Sequence, residues 1–125
     1  MKNLKQRHSI HATVEEVYTA LTNPLTIELW SGYPAEFIAV EGTEFSIWEG
    51  DIVGKNLKLI ENELVQQQWY FDGQEEKSIV TITLKKEGNN TVAELIHENI
   101  PDEVFDEMAT GWKSYYFGAI KKYFS

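Results

Sequence analysis

The chain has 125 residues, 42% of them hydrophobic and 25% charged, which is enough for one domain spanning 1–125 with a substantial core. Eleven Lys and Arg against twenty Asp and Glu give a net charge of −9; that field repels phosphate backbones and anionic lipid, and so argues against nucleic-acid and membrane-surface partners. The lack of cysteine excludes disulfides, thiolate metal sites and a Cys nucleophile, and the opening MKNLKQRHSI carries no apolar signal stretch, so a cytoplasmic location is expected.

In chain order, Leu4, Gln6, His8 and Ile10 alternate with Lys5, Arg7 and Ser9, which predicts a strand with one half-buried face. Thr13 and Glu16 have the spacing of a capping box, in which each side chain satisfies a free backbone N–H at a helix start. Val14, Val17, Tyr18 and Leu21 then share one helical face. Asn23-Pro24 ends this helix and supplies the cap and first turn of a second, Leu25 to Trp30. After the loop SGYP, six strands are expected: around Phe37–Val40, Thr43–Trp48, Ile52–Ile60, Leu64–Phe71, Ser78–Lys86 and Thr91–Asn99. The turns between them carry Gly, Asn and Asp, with Glu49–Asp51 read as a hairpin turn. Pro101 opens a last helix of about 35 Å at ~1.5 Å per residue. Its first turn holds Asp102 and Glu103 and its last Lys121 and Lys122, the order the helix dipole favours. Short hairpins and segregated helices make this an α+β chain with an antiparallel sheet of six or seven strands.

The end of the last helix, GWKSYYFGAIKKYFS, holds six aromatic residues in fifteen. At about 100° per residue, Trp112, Tyr115, Tyr116, Ile120 and Tyr123 fall on one broad face with Phe105 and Met108, while Phe117 and Phe124 fall on its flank. Such a stripe packs on a sheet, lines a ligand pocket or meets a partner. Gly111 and Gly118 inside the helix point to a close backbone approach or a bend. Ala93, Leu95 and His97 share one strand face, and the glutamates on the other place that set inward. His97 there is either a hydrogen-bond partner for a ligand or a core histidine; Gln66, Gln67, Gln68 and His97 are the polar groups placed to satisfy buried Trp and Tyr.

Catalytic signatures are missing. There is no G-x-S-x-G, no phosphate-binding loop and no G-x-G-x-x-G. His97-Glu98 begins like H-E-x-x-H, but Pro101 stands where the second His belongs. His8 and His11, three apart on a strand, point to opposite faces, which is poor for a shared metal. No catalytic residue, metal site or cofactor is assigned. An enzyme using Tyr, His and Glu ranks last, because no convergent acid–base set is visible.

IHATVEEVYTALTNP…W resembles the opening helix pair of the START-like helix-grip superfamily (START/Bet v-like). FSIWEGDIVGKNLKLIENELVQQQW and IPDEVFDEMATGWKSYYFGAIKKYF are similar to the C-terminal domain of activators of the heat-shock-protein-90 ATPase. The likeness runs from Ile10 to Phe124, with Gly50, Gly54, Trp69, Pro101, Gly111, Trp112, Tyr115, Tyr116 and Phe117 as landmarks. The family's frequent Arg after the strand-ending Trp is Tyr70 here. The resemblance implies a curved antiparallel sheet gripping the long helix, with a cavity between them. It implies a non-enzymatic binding domain, of co-chaperone or stress-response type, with a chaperone as partner; the alternative is a small apolar molecule held in the cavity. The candidates for the cavity lining are Trp30, Tyr33, Phe37, Trp69, His97, Trp112 and Tyr116, and those for a partner surface are Phe117 and Phe124.

Overall fold

The chain runs β1 (Lys2–Ile10), α1 (Val14–Thr22), α2 (Pro24–Ser31), β2 (Glu44–Ile47), β3 (Ile52–Ile60), β4 (Leu64–Trp69), β5 (Ser78–Glu87), β6 (Asn90–Ile100) and a C-terminal helix, in a computed structural model that describes residues 1–125. The six strands form one curved antiparallel sheet in the order β1-β6-β5-β4-β3-β2. Its register places Val65 beside Ile82, Ile82 beside Leu95, and Val80 beside His97. Strand alternation therefore turns Val65, Gln67 and Trp69 of β4, Val80, Ile82 and Leu84 of β5, and Ala93, Leu95 and His97 of β6 to one buried face. The helices cover that face, which makes this the helix-grip fold.

The helix pair forms as its sequence dictates. The Thr13 Oγ1 accepts from the Glu16 N–H at 3.1 Å, and the Glu16 carboxylate accepts from the Thr13 N–H at 3.0 Å, completing the capping box. Asn23 Oδ1 accepts from the Thr26 N–H at 3.1 Å, and Pro24 opens α2. Val17, Ala20, Leu21, Ile27 and Trp30 are buried against the core.

Two expectations are corrected. Phe37–Val40 is not a strand: the nearest sheet pairing is a single bridge from Glu36, just before it, to Ser46, and Ile38 and Val40 are exposed. Side chains take its carbonyls instead, with Thr43 Oγ1 donating to Ile38 O at 3.0 Å and Asn56 Nδ2 to the same oxygen at 3.2 Å. The sheet thus has six strands. The hairpin turn also starts one residue early. Trp48, Glu49 and Gly50 form a tight turn with φ of 53°, 53° and 96°, so Trp48 leaves β2.

The C-terminal helix is unbroken but not uniform. A 3₁₀ turn at Asp102–Val104 leads into α3 (Phe105–Thr110), a π-helical segment at Gly111–Tyr116, and α4 (Phe117–Tyr123). In the π segment the Phe117 N–H bonds to the Trp112 carbonyl, five residues back instead of four. One extra residue in the turn sets all that follows back by about 100° of helix rotation. Phe117, expected on the flank and offered as a partner surface, is 0% exposed and stacks on His8 at 4.5 Å. Tyr115 and Tyr123, expected on the gripped face, are 70% and 41% exposed. Gly118 is fitted to this distortion, since a Cβ there would lie 2.7 Å from the Lys113 carbonyl oxygen.

Candidate binding groove

Between the end of β4, the turn after β2, the end of α2 and the π segment lies a groove of about 900 Å³. Its floor is a sheet of rings. Trp69 and Trp112 stack at 4.6 Å with 22° between planes, Trp112 meets Tyr116 at 4.5 Å, Tyr116 meets Trp30 at 4.9 Å, and Trp30 meets Trp48 at 5.4 Å. Tyr33 and Tyr115 stand on the rim, Glu49 and Asp51 give it negative charge, and Lys122 lies at another point of the lining. The exposed rim residues leave the groove open to solvent along its length.

Local sequence positions each part. Trp69 reaches inward because it ends β4 opposite Gly54, whose missing side chain lets the Gln68 carbonyl and the Phe45 ring approach; any Cβ there would collide with both. Trp48 reaches the groove because its turn holds two non-glycine residues in the left-handed region, a conformation that costs of order 1 kcal/mol or more per residue. Strain of this kind is a mark of functional surfaces. Gly111 also lines the groove and faces open space, with no atom beyond its own stretch of helix within 4 Å of where a Cβ would sit.

The polar groups beneath the floor are almost fully paired. Trp30 Nε1 donates to Ala20 O at 2.8 Å, Trp69 Nε1 to Gln67 Oε1 at 3.0 Å, and Gln67 Nε2 to Asn56 Oδ1 at 3.1 Å. Trp112 Nε1 donates to His97 Nδ1 at 3.0 Å, and His97 Nε2 meets Ser78 Oγ at 2.8 Å. An indole N–H can only donate, so His97 Nδ1 is the unprotonated nitrogen and Nε2 carries the proton. Ser78 accepts that proton's bond and passes its own to Glu98 O at 3.0 Å. Burial holds the His97 pKa down at about 4, so the ring stays neutral. Tyr116 is the exception. It is 3% exposed and lines the groove, and its hydroxyl bonds to no protein group but is open to the groove, since Gln74 Oε1 is the sole buried side-chain polar atom without a partner. Burial pushes its pKa up, so the group is a neutral O–H donor.

Of the expected lining residues, Trp30, Tyr33, Trp69, Trp112 and Tyr116 meet in the groove. Phe37 does not; it packs on Phe45 at 5.5 Å. His97 lies under the floor with both ring nitrogens bonded, so it is a core histidine. Phe124 is half-buried against Tyr123 and the core. Sequence reasoning missed Trp48, because TEFSIW reads as an uninterrupted strand and the hairpin turn reads as Glu49–Asp51, starting one residue after it. It also missed Tyr115 on the rim, which an ideal helical wheel turns inward.

A family model described as Activator of Hsp90 ATPase homolog 1-like protein matches residues 11–125. The "Activator of 90 kDa heat shock protein ATPase homolog 1" of Mus musculus is 30% identical over 112 residues, covering 88% of this chain and 33% of that protein. The corresponding homolog of Dictyostelium discoideum is 28% identical over 127 residues, covering 99% of this chain and again 33% of the relative. This chain thus spans about a third of the length of the curated relatives it matches. A crystal structure described as an HSP90 activator from Plasmodium falciparum superposes with a TM-score of 0.90 at 22% identity, covering 98% of this chain and 96% of that one, a likeness of fold. With its fold, landmarks and matched span in agreement, the chain belongs to the Activator of Hsp90 ATPase homolog 1-like protein family.

Proposed function

We propose that this domain acts by binding, as a co-chaperone of the 90-kDa heat-shock protein class that alters the chaperone's ATP turnover from the cytoplasm. The observation that carries this is the family match over residues 11–125, with relatives named for activation of that ATPase. The chemistry of the groove supports binding over catalysis: it holds rings and two rim carboxylates, while His97 is bonded on both nitrogens beneath it. The test mixes the purified domain with a purified 90-kDa chaperone and follows binding by calorimetry and ATP hydrolysis by a coupled assay. Saturable binding with a changed hydrolysis rate is the expected result. Absence of both overturns the proposal.

A second reading, a small apolar ligand on the ring floor, is favoured by the aromatic lining and the free Tyr116 hydroxyl. It expects apolar compounds to raise the melting temperature in a thermal-shift screen, since a ligand bound only by the folded state stabilises it. A screen with no shifts removes it.

A further inference from the structure

We propose that the groove is a docking site for an extended segment of a basic partner chain, which lays one large apolar side chain on the ring floor between flanking Lys or Arg residues. This deepens the co-chaperone reading by naming the surface and the chemistry of the segment it takes.

Three observations lead there. First, the groove is open. Tyr33 at the rim is 46% exposed and Tyr115 more so, and a drug-sized molecule usually needs 70–90% of its surface buried. A chain segment lying across an open groove is covered from one side and needs no closure. Second, Tyr116 lines the groove and its hydroxyl bonds to no other protein group, while the N–H groups of Trp30, Trp69 and Trp112 in the same floor are paired. A segment in extended conformation brings backbone carbonyls, acceptors that recur along its length. Third, the rim charges Glu49 and Asp51 are negative, the one lining cation is Lys122, and the whole chain carries −9. Both the local and the long-range field select a cationic segment and raise its encounter rate. Glu49 belongs to the left-handed turn that also presents Trp48, so one strained element sets both the ring and the charge.

The probes are two fluorescein-labelled, end-capped nonapeptides with a central Leu-Trp-Leu core, one flanked by Lys and Arg and the other by Glu. Binding to the full chain is read by fluorescence polarisation, and its place by shifts of the indole N–H signals in NMR spectra. The basic peptide should bind at least tenfold tighter than the acidic one and should shift the Trp48 signal. Adding salt should narrow the difference. Gly111→Leu, which fills the groove where space is open, should reduce basic-peptide binding at least tenfold with an undiminished melting temperature. Tyr116→Phe should weaken it several-fold, and the E49Q/D51N double variant should cut the preference for the basic peptide several-fold, leaving only the part set by the long-range field. The proposal is overturned if the two peptides bind alike, if neither binds, if Gly111→Leu binds like wild type, or if the shifts map away from the groove. It is equally overturned if an apolar dye occupies the groove and the basic peptide cannot displace it. The outcome is independent of the chaperone assay: peptide docking without any chaperone response removes the partner class and leaves the surface, while a chaperone response with peptide-blind Trp48 does the reverse.

Discussion

At the scale of single residues, His97 shows how one side chain can serve architecture while resembling a site. Its inward direction was legible, because Ala93, Leu95 and His97 alternate with glutamates along β6. Its role was not, because Trp112 and Ser78 reach it only through tertiary packing, from 15 and 19 residues away in sequence. Replacing His97 by Phe keeps a flat ring of somewhat larger volume but strips the acceptor from Trp112 Nε1 and leaves a buried donor unpaired. An unsatisfied buried group costs about 1–3 kcal/mol, so urea unfolding should report a loss of that size for His97→Phe. His11, just past the end of β1, is exposed and bonds to Asn90 at the start of β6. His11→Phe should therefore stay within about 0.5 kcal/mol of wild type, as surface substitutions do. Equal losses in the two variants would mean that the His97 bonds contribute nothing beyond surface contacts.

At the scale of elements, the C-terminal helix divides what sequence patterns reveal from what they cannot. Pro101, the charge order and the aromatic stripe all predicted a helix packed on the sheet, and it is there. The facing of its second half was lost, because a helical wheel assumes 3.6 residues per turn and the π segment does not obey it. The two glycines were the visible trace, and they separate cleanly. Gly111 has helical φ and ψ of −59° and −46° and open space around a prospective Cβ. Gly111→Ala should stabilise the protein by about 0.5–1 kcal/mol, the ordinary advantage of Ala over Gly in a helix. Gly118→Ala meets the Lys113 carbonyl at 2.7 Å and should destabilise instead. The rings divide the same way: Phe117→Ala should cost about 3–5 kcal/mol as a core truncation, and Tyr115→Ala less than about 0.5 kcal/mol as an exposed change. Denaturant midpoints of the four variants decide the matter. A reversed order for Phe117 and Tyr115 would restore the straight helix read from sequence and remove the π register.

At the scale of the whole molecule, the features that make the groove also make the fold sensitive to acid. Gripping the helix places two histidines inside the protein. His8 of β1 stacks on Phe117 and bonds to Gln6 Oε1 at 2.7 Å, and His97 bonds to Trp112 and Ser78. Burial lowers both pKa values from 6.5 to about 4, with Lys121 and Lys113 adding a smaller push at His8. Folding therefore holds both rings neutral. The unfolded chain takes up their protons first, so the full stability is present above pH 6.5 and drains away as pH falls towards 4. For His97 the loss can reach about 3 kcal/mol, at 1.36 kcal/mol per pH unit, a large share of the 5–15 kcal/mol typical of a domain. Ion pairs do little to offset it, because Arg7–Glu87, Lys85–Glu94 and the pair between the N-terminal amine and Asp102 are all exposed. The melting temperature should fall steadily between pH 6.5 and 4.5. His97→Phe, although less stable at pH 7.5, should show a shallower fall, because one of the two linked protons is gone. His11→Phe should keep the wild-type slope. If His97→Phe falls as steeply as wild type, acid sensitivity arises outside the core, and the neutral His97 that anchors Trp112 beneath the groove has no measurable linkage to folding.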